Sequence, residues 1–184
     1  MALLSPVELS ALKDPAISNM NYGATIDHLV SDSILQNYPN GQPSQYYSEL
    51  NSFDFRSAVN LPLIDPVAAN ACHAGLWLLH HYLDESHAIS QTLYSPEGSW
   101  WHAIMHRMEG DYGNSKHWYR SVGLHPALES IQEQLGQRDG MPSWDVFHFV
   151  DTVRTAGSEP RTEEISRLEW QTLFDHCFRI ATGQ

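Results

Sequence analysis

The sequence predicts an all-α fold, a compact bundle of six to eight helices that forms a single domain over residues 1–184. Three observations lead to this prediction. Helix-starting signals recur along the whole chain, apolar residues repeat at helical spacing, and no segment shows the apolar–polar alternation of a strand between turn residues. The 42% hydrophobic content over 184 residues is sufficient for one buried core.

The N-terminal part of the chain contains two predicted helices. Ser5 and Pro6 form an N-cap and first-turn pair that opens a short helix ending near residue 13. Apolar side chains at helical spacing then predict a second helix over residues 25–36.

A long aromatic-rich loop separates these helices from the rest. Residues 38–63 are rich in Asn, Pro, Ser and Tyr and predict an ordered loop, with one turn of helix near residues 46–50. After the loop, Asp65 and Pro66 open a helix that we expect to continue almost unbroken to residue 91.

The C-terminal half is predicted to be helical throughout. Glycines that end helices, and Asp, Ser or Pro residues that begin them, divide it at regular intervals. Ser143 is the predicted cap of the fourth of these helices. The predicted helical segments are residues 98–110, 111–123, 125–136, 144–155 and 162–182.

The charge balance excludes some classes of partner. The chain has ten Lys and Arg residues and 22 Asp and Glu residues, which gives a formal net charge of -12. Phosphate binding requires clustered cations, so we expect neither nucleic acid nor an anionic membrane to be a partner. No window of 18 apolar residues and no basic, apolar leader is present. The chain has only two cysteines, Cys72 and Cys177, which we interpret as free thiols. Together with the absence of such segments, they favour a cytoplasmic protein.

Histidines are concentrated in the middle of the chain. Eight of the eleven lie between His73 and His125. On a helix over residues 65–91, a single stripe would contain His73, Trp77, His80, Asp84 and His87. On the next helix, one face would contain His102, His106 and Glu109. The link between these helices is short, which predicts that they are antiparallel neighbours with the two faces in contact.

This set of side chains predicts a divalent metal site. Imidazole and carboxylate together bind Zn, Fe or Mn. The predicted metal ligands are His80, Asp84, His87, His102, His106 and Glu109. For catalysis on a small-molecule substrate, the predicted residues are His80, Asp84, His87 and Arg107, where Arg107 would pair with Asp111 or with an anionic group of the substrate. A surface or interhelical salt bridge is the alternative role for Arg107.

Other interpretations of the same residues remain open at this point. The histidines and acids could form a metal-free acid–base site, or a structural network of buried polar groups. They could also make stability depend on pH, since buried neutral imidazoles resist protonation. The sequence contains no P-loop, no dinucleotide-binding glycine motif and no Gly-x-Ser-x-Gly elbow, so no nucleotide cofactor or serine nucleophile is expected.

One stretch resembles a tetratricopeptide-type helix hairpin. Small residues, a Gly-Asp-Tyr turn and an aromatic occur at the spacing of that repeat: Ala103, Gly110, Asp111, Tyr112, Ser115 and Tyr119. The resemblance covers one repeat, and His102 and His106 stand where the repeat usually has apolar or tyrosine side chains. It implies a helix hairpin in the middle of the fold and, as an alternative function, a protein-interaction module without catalysis.

A wider block is similar to a family of uncharacterised microbial and fungal helical proteins. The matching segments are residues 75–80, 84–91, 98–107, 109–114 and 118–123, which begin with Gly-Leu-Trp-Leu-Leu-His and end with Trp-Tyr-Arg-Ser-Val-Gly. They cover about the middle third of the chain. This resemblance implies no particular activity, but it includes the segment that contains the predicted site.

Overall fold

The computed structural model describes residues 20–31, 38–139 and 144–184. Within these residues the chain forms ten helices and no strand, which confirms the predicted all-α fold. They are α1 (Ala24–Leu29), α2 (Tyr47–Asn51), α3 (Phe55–Ala58), α4 (Pro66–Leu79), α5 (Leu83–Ser90), α6 (Pro96–Met108), α7 (Tyr112–Val122), α8 (Pro126–Asp139), α9 (Val146–Ala156) and α10 (Pro160–Thr182).

The helix count in the described residues exceeds the predicted six to eight for two reasons. The segment 38–63 is not only a loop, because it contains α2 and α3, of which α2 agrees with the predicted turn near residues 46–50. The helix predicted for residues 65–91 is divided into α4 and α5. The helix predicted near Ser5 lies outside the described residues, as do residues 32–36 of the second predicted helix.

Side-chain caps explain where most helices begin. The Asp65 carboxylate accepts the amide N–H groups of Val67 and Ala68 at 2.8 and 3.0 Å, and Asp111 accepts that of Asn114 at 3.0 Å. Both caps confirm the sequence prediction.

Some predicted boundaries were wrong by two or three residues. Helix α6 begins at Pro96, two residues before the predicted start at residue 98, and Ser95 caps it by accepting the Gly98 N–H. Asp145 caps α9, two positions after the predicted cap at Ser143. Helix α8 continues past Gly136 to Asp139.

The break between α4 and α5 is a helix-ending motif without its usual glycine. His81 has a φ of +63°, in the left-handed region that favours Gly. Its N–H donates to the Leu78 carbonyl and the Tyr82 N–H donates to the Trp77 carbonyl, which are the two bonds of a Schellman motif. Because the left-handed residue is His and not Gly, no local sequence pattern predicts that the helix ends here.

The core is built where α4 meets α6 and α10. Gly75 on α4 lacks a side chain, so the Trp101 ring of α6 can lie directly against its backbone. The Trp170 indole N–H of α10 donates to the Gly75 carbonyl at 2.8 Å. Trp101 and Trp170 are fully buried. These contacts hold α6, which contains most of the predicted site residues, against the two core helices.

Helices α6 and α7 form the predicted hairpin and make the most extensive helix–helix contact among the described elements. The turn between them uses Gly110, whose φ is +87°. The two small residues of the tetratricopeptide-like pattern meet at the crossing, where the Ser115 hydroxyl donates to the Ala103 carbonyl at 2.8 Å. None of the described helices is long and apolar enough to span a bilayer.

Adding a methyl group at Gly75 should destabilise the core. A Cβ there would lie 2.7 Å from the Trp101 ring, so Gly75→Ala is expected to lower the free energy of unfolding by about 1–3 kcal/mol, the usual cost of overpacking. Urea denaturation measures this difference.

Gly113→Ala is the matched control, because a Cβ at that position in α7 would meet only an Asp111 oxygen, at 3.7 Å. It should leave stability unchanged or raise it by up to about 1 kcal/mol through helix propensity. Equal losses from both substitutions would contradict the packing argument at Gly75.

Candidate metal centre

Three histidines from two packed helices converge in the structure. His87 lies on α5, and His102 and His106 lie one turn apart on α6. One ring nitrogen from each lies within 4.8 Å of the others. The ring centroid of His102 is 4.6 Å from that of His87 and 4.7 Å from that of His106. These three side chains form the trihistidine cluster.

His102 is the most constrained member of the trihistidine cluster. Its side chain is buried, and its ring stacks on the Trp118 indole with a centroid distance of 4.0 Å. The buried Nδ1 atom has no hydrogen-bond partner among the described residues. Burial, and then the neighbouring His106 and His87, lower the pKa of His102 from 6.5 to about 4. The ring is therefore neutral at pH 7, the form that binds a metal.

His106 is held by hydrogen bonds at both ring nitrogens. Its Nδ1 lies 2.5 Å from Oε1 of Glu109, and its Nε2 lies 3.0 Å from the side-chain amide nitrogen Nδ2 of Asn114. A carboxylate only accepts and an amide NH₂ only donates, so the network places the proton on Nδ1 and a lone pair on Nε2. This is the tautomer that a metal-ligating histidine adopts when a carboxylate orients it. In this structure the side-chain amide of Asn114 occupies the Nε2 lone pair, so a metal ion at His106 would displace that amide.

Two exposed acids extend the cluster towards solvent. Glu109 and Asp111 each place an oxygen within 4.8 Å of a His106 nitrogen and of each other. The Glu109 side chain is 41% exposed. Asp111 also caps α7, so its backbone position is fixed by the start of that helix. The site thus has a buried imidazole part and an acidic outer part.

The structure places two of the predicted metal ligands elsewhere. His80 is fully buried, with Nδ1 2.8 Å from the Ser44 hydroxyl and Nε2 3.0 Å from the Leu29 carbonyl. Asp84 is exposed in the first turn of α5 and makes no hydrogen bond or ion pair with the described residues. The cause is the break at His81, which removes the continuous helical stripe on which the prediction depended.

His73, also expected on the stripe, lies apart from the cluster. Its Nε2 is 2.9 Å from the Leu50 carbonyl, and its ring stacks on Trp77 of the same helix. Burial lowers the pKa of His73 and lowers that of His80 to about 4. Both residues join α4 to the preceding segment, so their interactions are structural.

Arg107 does not pair with Asp111, because its side chain enters the core and forms an interhelical salt bridge, which is one of the roles that the sequence left open. One terminal nitrogen donates to the Tyr119 hydroxyl at 2.6 Å and the other donates to the Glu169 carboxylate of α10. The same carboxylate accepts the Trp100 indole N–H at 2.9 Å and the Tyr119 O–H at 2.6 Å. Glu169 and neighbouring Tyr119 hold the pKa of Arg107 above its usual range in spite of burial.

A second group of metal-ligand residue types was missed by the sequence reasoning. Glu97 of α6 lies 3.3 Å from Nε2 of His125 and 3.4 Å from Nε2 of His176 on α10. Hydrogen bonds from the two imidazoles hold the pKa of Glu97 well below its usual range. His125 precedes a helix-starting proline, but nothing in the sequence connected His176 with it.

The protonation of His125 distinguishes this second group from the trihistidine cluster. Its Nδ1 accepts the Ala127 N–H at 3.2 Å, which caps α8 and leaves the proton on Nε2. A metal would need the Nε2 lone pair, and binding would therefore break the cap. We interpret the Glu97 group as a hydrogen-bonded clamp between α6, α8 and α10.

Removing the partner of Arg107 should be costly. Glu169→Gln leaves a buried guanidinium without its counter-charge and is expected to lower the free energy of unfolding by about 3–5 kcal/mol. Urea denaturation tests this. The double variant Arg107→Met with Glu169→Gln should lose less than the sum of the two single variants, because it contains no unpaired charge. Additive losses would show that the pair is not coupled.

Stability should fall in mildly acidic solution. His80 and His102 have pKa values of about 4 in the fold, against 6.5 in the unfolded chain, so their contribution is complete above pH 6.5 and is lost as the pH falls towards 4. Between pH 7 and pH 5 we expect a loss of about 2–4 kcal/mol from the two together. Urea denaturation at both pH values measures it.

His80→Gln removes one of these groups and should reduce the loss between pH 7 and pH 5 by about half. His117→Gln, at an exposed position on α7, is the control and should not change it. An unchanged pH dependence in His80→Gln would contradict the assignment.

Comparisons with protein-family models, with curated proteins and with solved structures found no significant match to this chain.

Proposed function

We propose that this protein binds a divalent transition metal at the trihistidine cluster and uses it to act on a small molecule. The observation that carries the proposal is the convergence of three imidazoles, two of them buried, with a partnerless nitrogen on His102. Such a set matches the three-nitrogen ligation of catalytic metal sites, which leave a further coordination position open.

A purely structural role accounts less well for His102. Buried polar atoms in native proteins are nearly always hydrogen-bonded, and leaving one unpaired costs about 1–3 kcal/mol. His73 and His80 follow that rule, since each bonds to a backbone carbonyl. His102 does not. Other buried atoms of the described residues also lack a partner, among them Trp101 Nε1 and Ser86 Oγ, but of these residues His102 is the one that belongs to a convergent group of metal-ligand side chains.

The surrounding residues fit the chemistry of a metal-bound water. Imidazole ligands favour Zn or Fe over Mn, which prefers oxygen. A metal in such a site would supply a water activated near neutral pH. Glu109 would orient His106 through Nδ1, and the half-buried His87 would lie on the side open to substrate. The exposed Asp111 carboxylate is suited to accept a proton.

A metal-free acid–base site is the second candidate, and the 2.5 Å contact between His106 and Glu109 favours it. A carboxylate that orients an imidazole in this way can make it a general base. The interaction-module alternative predicted histidines that do not converge, so the cluster supports the metal or acid–base proposals over it.

Zinc binding measured by titration calorimetry at pH 7.5 tests the metal proposal. The wild-type chain should bind one Zn²⁺, and His102→Ala and His106→Ala should each weaken binding at least about 100-fold through loss of a ligand. Glu109→Gln should weaken it by about 10–100-fold, as is usual for the carboxylate behind a metal-bound histidine.

His117→Ala, on the same hairpin but exposed, is the control for general histidine binding, and His176→Gln is the control for the Glu97 group. Both should bind zinc like the wild type. Absence of stoichiometric binding in the wild type, or full binding in the His102 and His106 variants, would overturn the metal proposal. Retained catalysis in the absence of metal would favour the acid–base site.

A further inference from the structure

A small cavity adjoins Arg107, on a different face of α6 from the trihistidine cluster. Its volume is about 150 Å³ and it is lined by residues from α6, α7, α9, α10 and the segment at residues 39–40. Met108, Tyr112 and Val153 supply apolar wall, and Arg107, Thr162 and Ser166 supply polar groups. We call this space the Arg107 cavity.

The Arg107 guanidinium has more N–H donors than the described residues offer it acceptors. Arg107 carries five N–H groups. Two of them donate to Tyr119 and Glu169, and Nε meets no acceptor among the described residues. The side chain is only 2% exposed, so bulk water does not surround the remaining donors. The cavity beside it is where an acceptor for them fits.

The hydroxyl groups on the wall of the Arg107 cavity can take a hydrogen-bond donor from a ligand, whereas Arg107 can take an acceptor. The Thr162 hydroxyl donates to the Gly157 and Glu159 carbonyls, at 2.7 and 2.8 Å, and the Ser166 hydroxyl donates to the Thr162 carbonyl at 2.8 Å. Their protons are committed to the backbone, so their oxygens can only accept further hydrogen bonds. A matching ligand must therefore both accept from Arg107 and donate to these oxygens.

The charges around the Arg107 cavity favour an uncharged ligand over an anion. Glu169 already neutralises Arg107, and Asn40 on the cavity wall donates at 2.9 Å to the Glu163 carboxylate, which is itself paired with Arg167 at 3.9 Å. An anion entering the cavity would add a buried negative charge without a free counter-ion.

We propose that the Arg107 cavity binds a small uncharged carboxamide. The carbonyl oxygen accepts from Arg107, the amide N–H groups donate to the Thr162 and Ser166 oxygens, and a short aliphatic group packs on Met108 and Val153. This site is independent of the metal proposal, because none of its groups belongs to the trihistidine cluster.

Three compounds of nearly the same shape test the proposal: isobutyramide, 3-methyl-2-butanone and isobutyrate. The measurement is the NMR shift of the Arg107 Nε–H group in the full chain. Isobutyramide should give a saturable shift. The ketone lacks the donor and isobutyrate carries a charge, so each should bind about tenfold more weakly.

Val153→Phe fills the cavity and should abolish the isobutyramide shift. Thr152→Phe adds the same ring to α9 at a position outside the cavity wall, and it should bind like the wild type. Thermal melts verify that both variants fold. The proposal is overturned if isobutyramide gives no saturable shift, if isobutyrate binds as tightly, or if Val153→Phe binds normally. The comparison of the three compounds uses the wild-type chain alone and so does not depend on the folding of any variant.

Discussion

The buried ion pair between Arg107 and Glu169 is the interaction on which the arrangement of this protein depends. It joins α6 to α10, and the bonds of the same carboxylate to Trp100 and Tyr119 bring α7 into the network. Buried charges are tolerated only when paired and hydrogen-bonded, so the network permits few alternative packings. With Gly75 and its two tryptophan neighbours, it fixes the position and rotation of α6.

That fixed rotation gives α6 two different chemical faces. His102 and His106 lie on one face, next to His87 of α5, while Arg107 enters the core and reaches the cavity beside α9 and α10. The protonation states also separate the two histidine groups. Nε2 of His106 carries a lone pair, which the Asn114 side chain occupies, whereas Nε2 of His125 carries a proton, because each imidazole follows the partner at its other nitrogen. Identical residue types therefore support a metal proposal at one place and a structural clamp at the other.

The sequence was sufficient for features that depend on neighbours along the chain. The caps at Asp65 and Asp111, the α6–α7 hairpin and the grouping of His87, His102 and His106 follow from local patterns, and the structure has all of them. The errors arose where distant contacts decide the conformation. His81 takes a left-handed backbone without being Gly, and the partners Glu169 and His176 lie on a helix far along the chain. Helical spacing contains no information about such pairs, so His80 and Asp84 were assigned to the wrong surroundings and the partner of Arg107 was not identified.

The stacking of Trp118 on His102 has an optical consequence. An indole emits fluorescence whose yield depends on the electronic state of a ring held in van der Waals contact with it, and a cation attached to the imidazole makes that ring electron-poor. The chain therefore contains a natural emission probe beside the trihistidine cluster. Protonation of His102, or binding of a metal ion to it, would each change the fluorescence intensity of Trp118, so that no added dye is needed.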